Sequence, residues 1–120
     1  MRKKAEKFQD LEVWQKAHHL VLVTYKITQA FPNEEKFGLV SQMRRAGVSI
    51  AANIAEGFKK RGTRDKANFY NVAQGSLEEL RYYFILSKDL GYLRTNDELM
   101  ESVDTIGRML HGLVSSVRSE

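Results

Sequence analysis

The residues best placed to do chemistry form a row. Arg45, Ser49 and Asn53 follow one another at steps of four, and Glu56 continues the row three residues on, so in a helix they share one face. Later in the chain, Ser76 and Glu79 stand beside Gly75, where a missing side chain lets another helix come close. If the two faces meet, Glu79 can pair with Arg45 and accept from Ser49. Such a set is catalytic when it holds an activated nucleophile. Without one, it is a buried polar network that fixes the register of two helices. No activated nucleophile accompanies these six residues, so they read as structural.

Other routes to catalysis lack residues. The chain has no cysteine, which removes disulfides, thiolate metal sites and thiol nucleophiles together. Its three histidines, His18, His19 and His111, sit in no HExxH pattern or His/Asp cluster. Phosphate-loop, dinucleotide and hydrolase-elbow motifs are missing. Glu34-Glu35 and Glu78-Glu79 are adjacent carboxylates, but helix neighbours point about 100° apart and cannot share a proton. Arg108 and His111, three apart, are too common a pair to imply a nuclease. The expectation is a protein that is not an enzyme, with no metal and no cofactor.

Charge points instead to binding. The net charge of +4 is unevenly spread: residues 1–66 carry 14 Lys/Arg against 7 Asp/Glu, and residues 67–120 carry 5 against 8. Two clusters stand out, Arg2-Lys3-Lys4 with Lys7, and Lys59-Lys60-Arg61 with Arg64 and Lys66. Dense cations of this kind attract phosphate backbones, although they serve equally well as solvated ends of a molecule. Trp14, Tyr25, Phe31, Phe58 and Phe69 could stack on bases, but at helical spacing they read as core.

Four helical segments must position these residues. With 120 residues, 42% apolar and 28% charged, the chain has ordinary globular composition and the length of one domain, 1–120. Val13, Ala17, Leu20, Thr24, Ile27 and Phe31 recur at three and four, predicting a helix over 10–31 that Asp10 caps and Pro32, the only proline, ends. Val40, Met43, Gly47, Ile50, Ile54 and Phe58 predict a second over 36–58, with Gly57 as its stop. Its run of Ala and Gly suits close packing at the centre of a bundle. A third over 64–90 places Phe69, Ala73, Leu77, Leu80, Phe84 and Leu90 mostly on one side and ends at Gly91. Thr95-Asn96-Asp97-Glu98 matches a capping box opening a fourth over 96–118, whose Leu99, Val103, Ile106, Leu110, Leu113 and Val117 form an unbroken seam. Short connections require neighbouring helices to run antiparallel, so the fold class is all-α, an up-down-up-down four-helix bundle. No apolar run reaches the roughly 20 residues of a membrane span, and no charged start leads into an apolar signal core, so the expected compartment is the cytoplasm.

Laid out this way, the chain resembles the bacterial four-helix-bundle family named for open reading frames within intervening sequences of 23S ribosomal RNA genes. The resemblance is carried by Phe8-Gln9-Asp10-Leu11 with Val13-Trp14-Gln15, Phe31-Pro32 with Glu35 and Phe37-Gly38-Leu39, and Gln42 with Arg44-Arg45-Ala46. Ser49-Ile50, Asn53-Ile54-Ala55-Glu56-Gly57, Gly75-Ser76 and Glu79 complete it over nearly the whole chain. Gly47 departs from it, since relatives often carry a bulkier small residue there. The family is similar in fold to the accessory variability determinant protein of diversity-generating retroelements, a ring-like homopentamer that binds nucleic acid and a reverse transcriptase. The resemblance therefore implies a homo-oligomer, a pentamer, with a basic surface; it supports binding rather than catalysis.

The resulting expectation is an oligomer that binds nucleic acid, structured RNA ahead of DNA, with Lys59, Lys60, Arg61, Arg64 and Lys66 contacting phosphates without reading bases. The alternative is a module that binds a protein partner and has no nucleic-acid role.

Overall fold

The computed structural model describes residues 4–119 and contains four long helices: α1 (Glu12–Thr28), α2 (Leu39–Lys59), α3 (Thr63–Asp89) and α4 (Asp97–Arg118). Two single-turn 3-10 helices precede α1 and α2, at Phe8–Asp10 and Asn33–Glu35. Among the described residues there is no strand, and no helix is long and apolar enough to cross a membrane. The basic residues Arg2 and Lys3 lie outside the described residues.

Each helix turns its apolar row inward. Val13, Ala17 and Leu20 of α1, Met43, Ala46, Ile50 and Ile54 of α2, Ala73, Leu77, Leu80 and Phe84 of α3, and Val103, Ile106 and Leu110 of α4 share one core. Contacts run in opposite directions along consecutive helices. A Cβ built on Gly47 would meet Val21, while Arg44 reaches Tyr25 and Thr28. Ser87, Ser76 and Tyr70 of α3 meet Met43, Ser49 and Gly57 of α2 in turn. Val114 and Asp104 of α4, and the cap residue Asn96 before it, meet Tyr70, Arg81 and Phe84 in turn. Sequential neighbours are therefore antiparallel, and the bundle is up-down-up-down.

Helix ends differ from the sequence reading. Leu11 is extended (φ −74°, ψ 124°), so α1 starts at Glu12, and the Asp10 carboxylate turns back to accept from the amides of Glu6 and Lys7. Helix α1 stops at Thr28 rather than at Phe31, whose ring turns inward and is buried. Thr95 forms no capping box. Its hydroxyl accepts from the Asp97 amide, while Asn96 takes the cap position and donates its side-chain amide to the Phe84 carbonyl. Gly57 does not stop α2, which runs two residues further. Gly91, at φ +82°, does end α3, where a left-handed residue favours glycine.

Burial of the aromatics divides more finely than the periodicity. In α3 it is Tyr70 that is buried, while Phe69 is half-buried and Leu90 is exposed. Trp14 and Phe58 are half-buried, and Tyr25 is exposed.

Candidate nucleic-acid interface

The polar row on α2 divides on contact with α3. Ser49 and Ser76 share a hydrogen bond of 2.7 Å between their hydroxyls, and the Asn53 side-chain amide donates to the Ser49 carbonyl (2.7 Å) and hydroxyl (3.1 Å). These three are half-buried and link the two helices at mid-length. Arg45, Glu56 and Glu79 lie outside this link and are exposed. Glu79 accepts from the Tyr83 phenol one turn along, at 3.3 Å, and makes no ion pair with Arg45 within 4 Å. Burial, and then the Glu79 carboxylate, push the Tyr83 phenol above its ordinary value. Gly75 is exposed with open space around it, so it does not serve a close approach; Gly57 does, against the ring of Tyr70. No group in this row is placed to activate a nucleophile. Its geometry is that of a register pin.

The basic cluster occupies one end of the bundle. Lys59 closes α2, Lys60-Arg61-Gly62 make the turn, and Arg64 stands in the first turn of α3. Lys59, Lys60, Arg61 and Arg64 are all exposed, and none forms an ion pair among the described residues. The Lys60 ammonium lies 5.1 Å from the centre of the Phe69 ring, which holds its stem against the surface while the charge stays in water. The amides opening α3 add partial positive charge at the same end. Asp65, in the same turn, and Glu56 moderate the field. The antiparallel order brings the N-terminal segment, with exposed Lys7, and the last turn of α4, with Arg118, to this end too.

Lys66 is different. Its ammonium donates to the carbonyls of Phe58 (2.7 Å) and Gly57 (3.3 Å) and lies 5.4 Å from the Phe58 ring centre. It caps the C-terminus of α2, where carbonyls lack intrahelical partners and a cation complements the helix dipole. Sequence spacing alone cannot tell this lysine from its neighbours.

A second polar cluster lies on the α3–α4 face, where Arg81 bridges Glu78 (3.1 Å) and Asp104 (2.6 Å). The hydrogen bond to Asp104 leads the effects that hold the guanidinium above its ordinary value. Both acids are well exposed, so the bridge is a modest brace. Among the described residues no group of three or more His, Asp or Glu side chains could hold a metal ion.

Two features escaped the sequence reading. Phe37 is 89% exposed, and Arg44 joins α2 to the end of α1 through Thr28 Oγ1 (3.0 Å) and the Tyr25 carbonyl (3.3 Å) while stacking over the Tyr25 ring. Phe37 stands three residues before Val40, in step with the α2 row, so spacing alone reads it as core; α2 opens only at Leu39, and that leaves the ring outside the helix.

Comparison with known proteins bears on the geometry. A family model described as 23S rRNA-intervening sequence protein matches residues 9–112. Among solved structures, the chain is similar to a protein of unknown function from the S23 ribosomal protein family of Bacteroides thetaiotaomicron VPI-5482. The TM-score is 0.76 and the identity 24%, over 86% of this chain and 95% of that one. At that identity the likeness establishes the fold. No curated protein matches.

Proposed function

We propose that this chain, which belongs to the 23S rRNA-intervening sequence protein family, is a non-enzymatic homo-oligomer that binds structured RNA through its basic end. The observation that carries the reading is the set of four exposed cations, Lys59, Lys60, Arg61 and Arg64, crowded into six residues with no ion pair among the described residues. Cations without an ion-pair partner are available to phosphates, and binding them releases condensed counterions. A dense cluster of cations on an exposed turn meets phosphates first, so the proposed contact follows backbone charge rather than sequence. One such patch is weak. Repeating it in an oligomer, a pentamer by the resemblance noted above, multiplies it into avidity.

Lys66 belongs to this site as a support: by capping α2 it fixes where the turn begins. The proposed compartment is the cytoplasm, where RNA is at hand. Glutamine at Lys59, Lys60, Arg61 and Arg64 together is expected to weaken binding of a labelled RNA hairpin. Unchanged binding overturns the reading.

A second reading has its own observation. Leu22, Val48, Val72 and Tyr82 are between 44% and 55% exposed, and apolar side chains at the surface suit a protein-interaction or assembly module. Binding that is indifferent to salt favours that reading over phosphate contact.

A further inference from the structure

At the other end of α2 from the basic turn, a groove of about 670 Å³ opens beside the end of α1. Tyr25, Lys36, Phe37, Arg44, Arg45 and Val48 give it its character, with serine hydroxyls at its edge. Three of these side chains are cations, and no carboxylate lines the groove. The nearest acid in sequence, Glu35, is engaged elsewhere, accepting from the Tyr92 phenol at 2.8 Å.

The groove combines a flat apolar face with fixed positive charge. The Phe37 ring is 89% exposed, with the Lys36 ammonium 5.5 Å from its centre. Arg44 is held by two hydrogen bonds and lies 4.5 Å over the Tyr25 ring centre, so its charge needs no ordering on binding. Arg45 is exposed and has no ion pair among the described residues.

We infer that this groove binds single-stranded nucleic acid, with an unpaired base stacking on Phe37 and the flanking phosphates meeting Lys36 and Arg45. This inference rests on the reading of the protein as a nucleic-acid binder and adds a second, chemically different site to it. The charge pattern favours this occupant over a second copy of the chain. Interface cores are depleted in charge, and a second copy that laid an apolar face here would bury three cations unpaired. A nucleotide brings both the aromatic surface and the counter-charge. Stacking on an aromatic side chain beside cations is how proteins hold unpaired strands without reading sequence.

The test uses the full chain and three labelled probes: a short oligouridylate, an abasic phosphodiester of the same length, and a stable RNA hairpin. Light scattering accompanies each titration, so that affinities are compared between species of equal mass. Phe37→Ala, at an exposed position, is expected to weaken oligouridylate binding about tenfold and to leave the hairpin and the abasic strand unchanged. Arg45→Gln is expected to weaken the oligouridylate and the abasic strand alike. If the wild-type protein binds the hairpin but oligouridylate affinity does not respond to Phe37→Ala, this inference falls and the basic-end reading stands. If no probe binds, both fall. A lower mass for Phe37→Ala with unchanged oligouridylate affinity identifies the groove as a self-association face and overturns the inference.

Discussion

Gly57 lies directly against the ring of Tyr70: a Cβ built on the glycine would come within 2.5 Å of Tyr70 Cε1 and 2.8 Å of Cδ1. Tyr70 is fully buried and packs with Val114 and Val117, so it has little room to yield. This contact anchors α2, α3 and α4 beside the turn that carries the basic cluster. Gly57→Ala is therefore expected to destabilise the protein, because overpacking of about 1–3 kcal/mol exceeds the helix propensity of alanine, about 1 kcal/mol. Gly47→Ala is expected to go the other way. A Cβ there would sit 3.7 Å from Val21 and 3.9 Å from Leu80, ordinary contact distances, so the propensity gain survives. Urea unfolding of the two variants checks the opposite signs.

Lys66 and Lys59 are expected to behave differently although both belong to the basic cluster. Lys66→Gln removes the ammonium that caps the carbonyls of Phe58 and Gly57, at a cost of about 1 kcal/mol. Lys59→Gln alters an exposed side chain and is expected to stay within about 0.5 kcal/mol. Thermal melts of the two single variants measure the difference.

Ser49 and Ser76 form a direct link between α2 and α3. Alanine at either position leaves the other hydroxyl half-buried without that partner, and alanine at both removes the mismatch. A double-mutant cycle is expected to show a coupling of about 1 kcal/mol. Purely additive effects would show that the hydroxyls do not support each other.

Tyr92 ties the segment before α2 to the end of α3. Its hydrogen bond to Glu35, together with burial, raises the phenol above the usual value near 10. Because the folded value lies above the unfolded one, the contribution is complete below about pH 10 and is lost as pH rises through the folded value. The stability difference between wild type and Tyr92→Phe is expected to be constant across neutral pH and to shrink in alkali. Urea unfolding over that range checks it.

What the sequence made legible follows from periodicity. The seam of α4 and the row Val40, Met43, Gly47, Ile50, Ile54 recur at a helical step, and burial follows that step through Val103, Ile106, Leu110 and Val117; Leu99 and Leu113 of α4 and Phe58 of α2 are only half-buried, and Val114 is buried beside Leu113. Helix ends were less legible, because a cap depends on local dihedral angles. Extended Leu11 moved Asp10 off α1, and Asn96 displaced Thr95 at the start of α4. Glycines were misread for a related reason. Composition marks Gly57 and Gly75 alike, and only the packing shows that one faces a tyrosine ring and the other open space. For the candidate interface, charge density located the cluster, but only the fold shows that Lys66 is committed to the backbone while Lys59, Lys60, Arg61 and Arg64 are exposed without ion pairs.

The most direct measurement is a titration of a labelled RNA hairpin at two salt concentrations with wild-type protein and with the variant carrying glutamine at Lys59, Lys60, Arg61 and Arg64, Lys66 being kept so that α2 stays capped. The account expects wild-type affinity to fall steeply with salt. The variant should bind at least about tenfold more weakly, with a salt slope shallower by about 0.9 for each phosphate contact removed. Equal affinity and equal slope for the two proteins would contradict it.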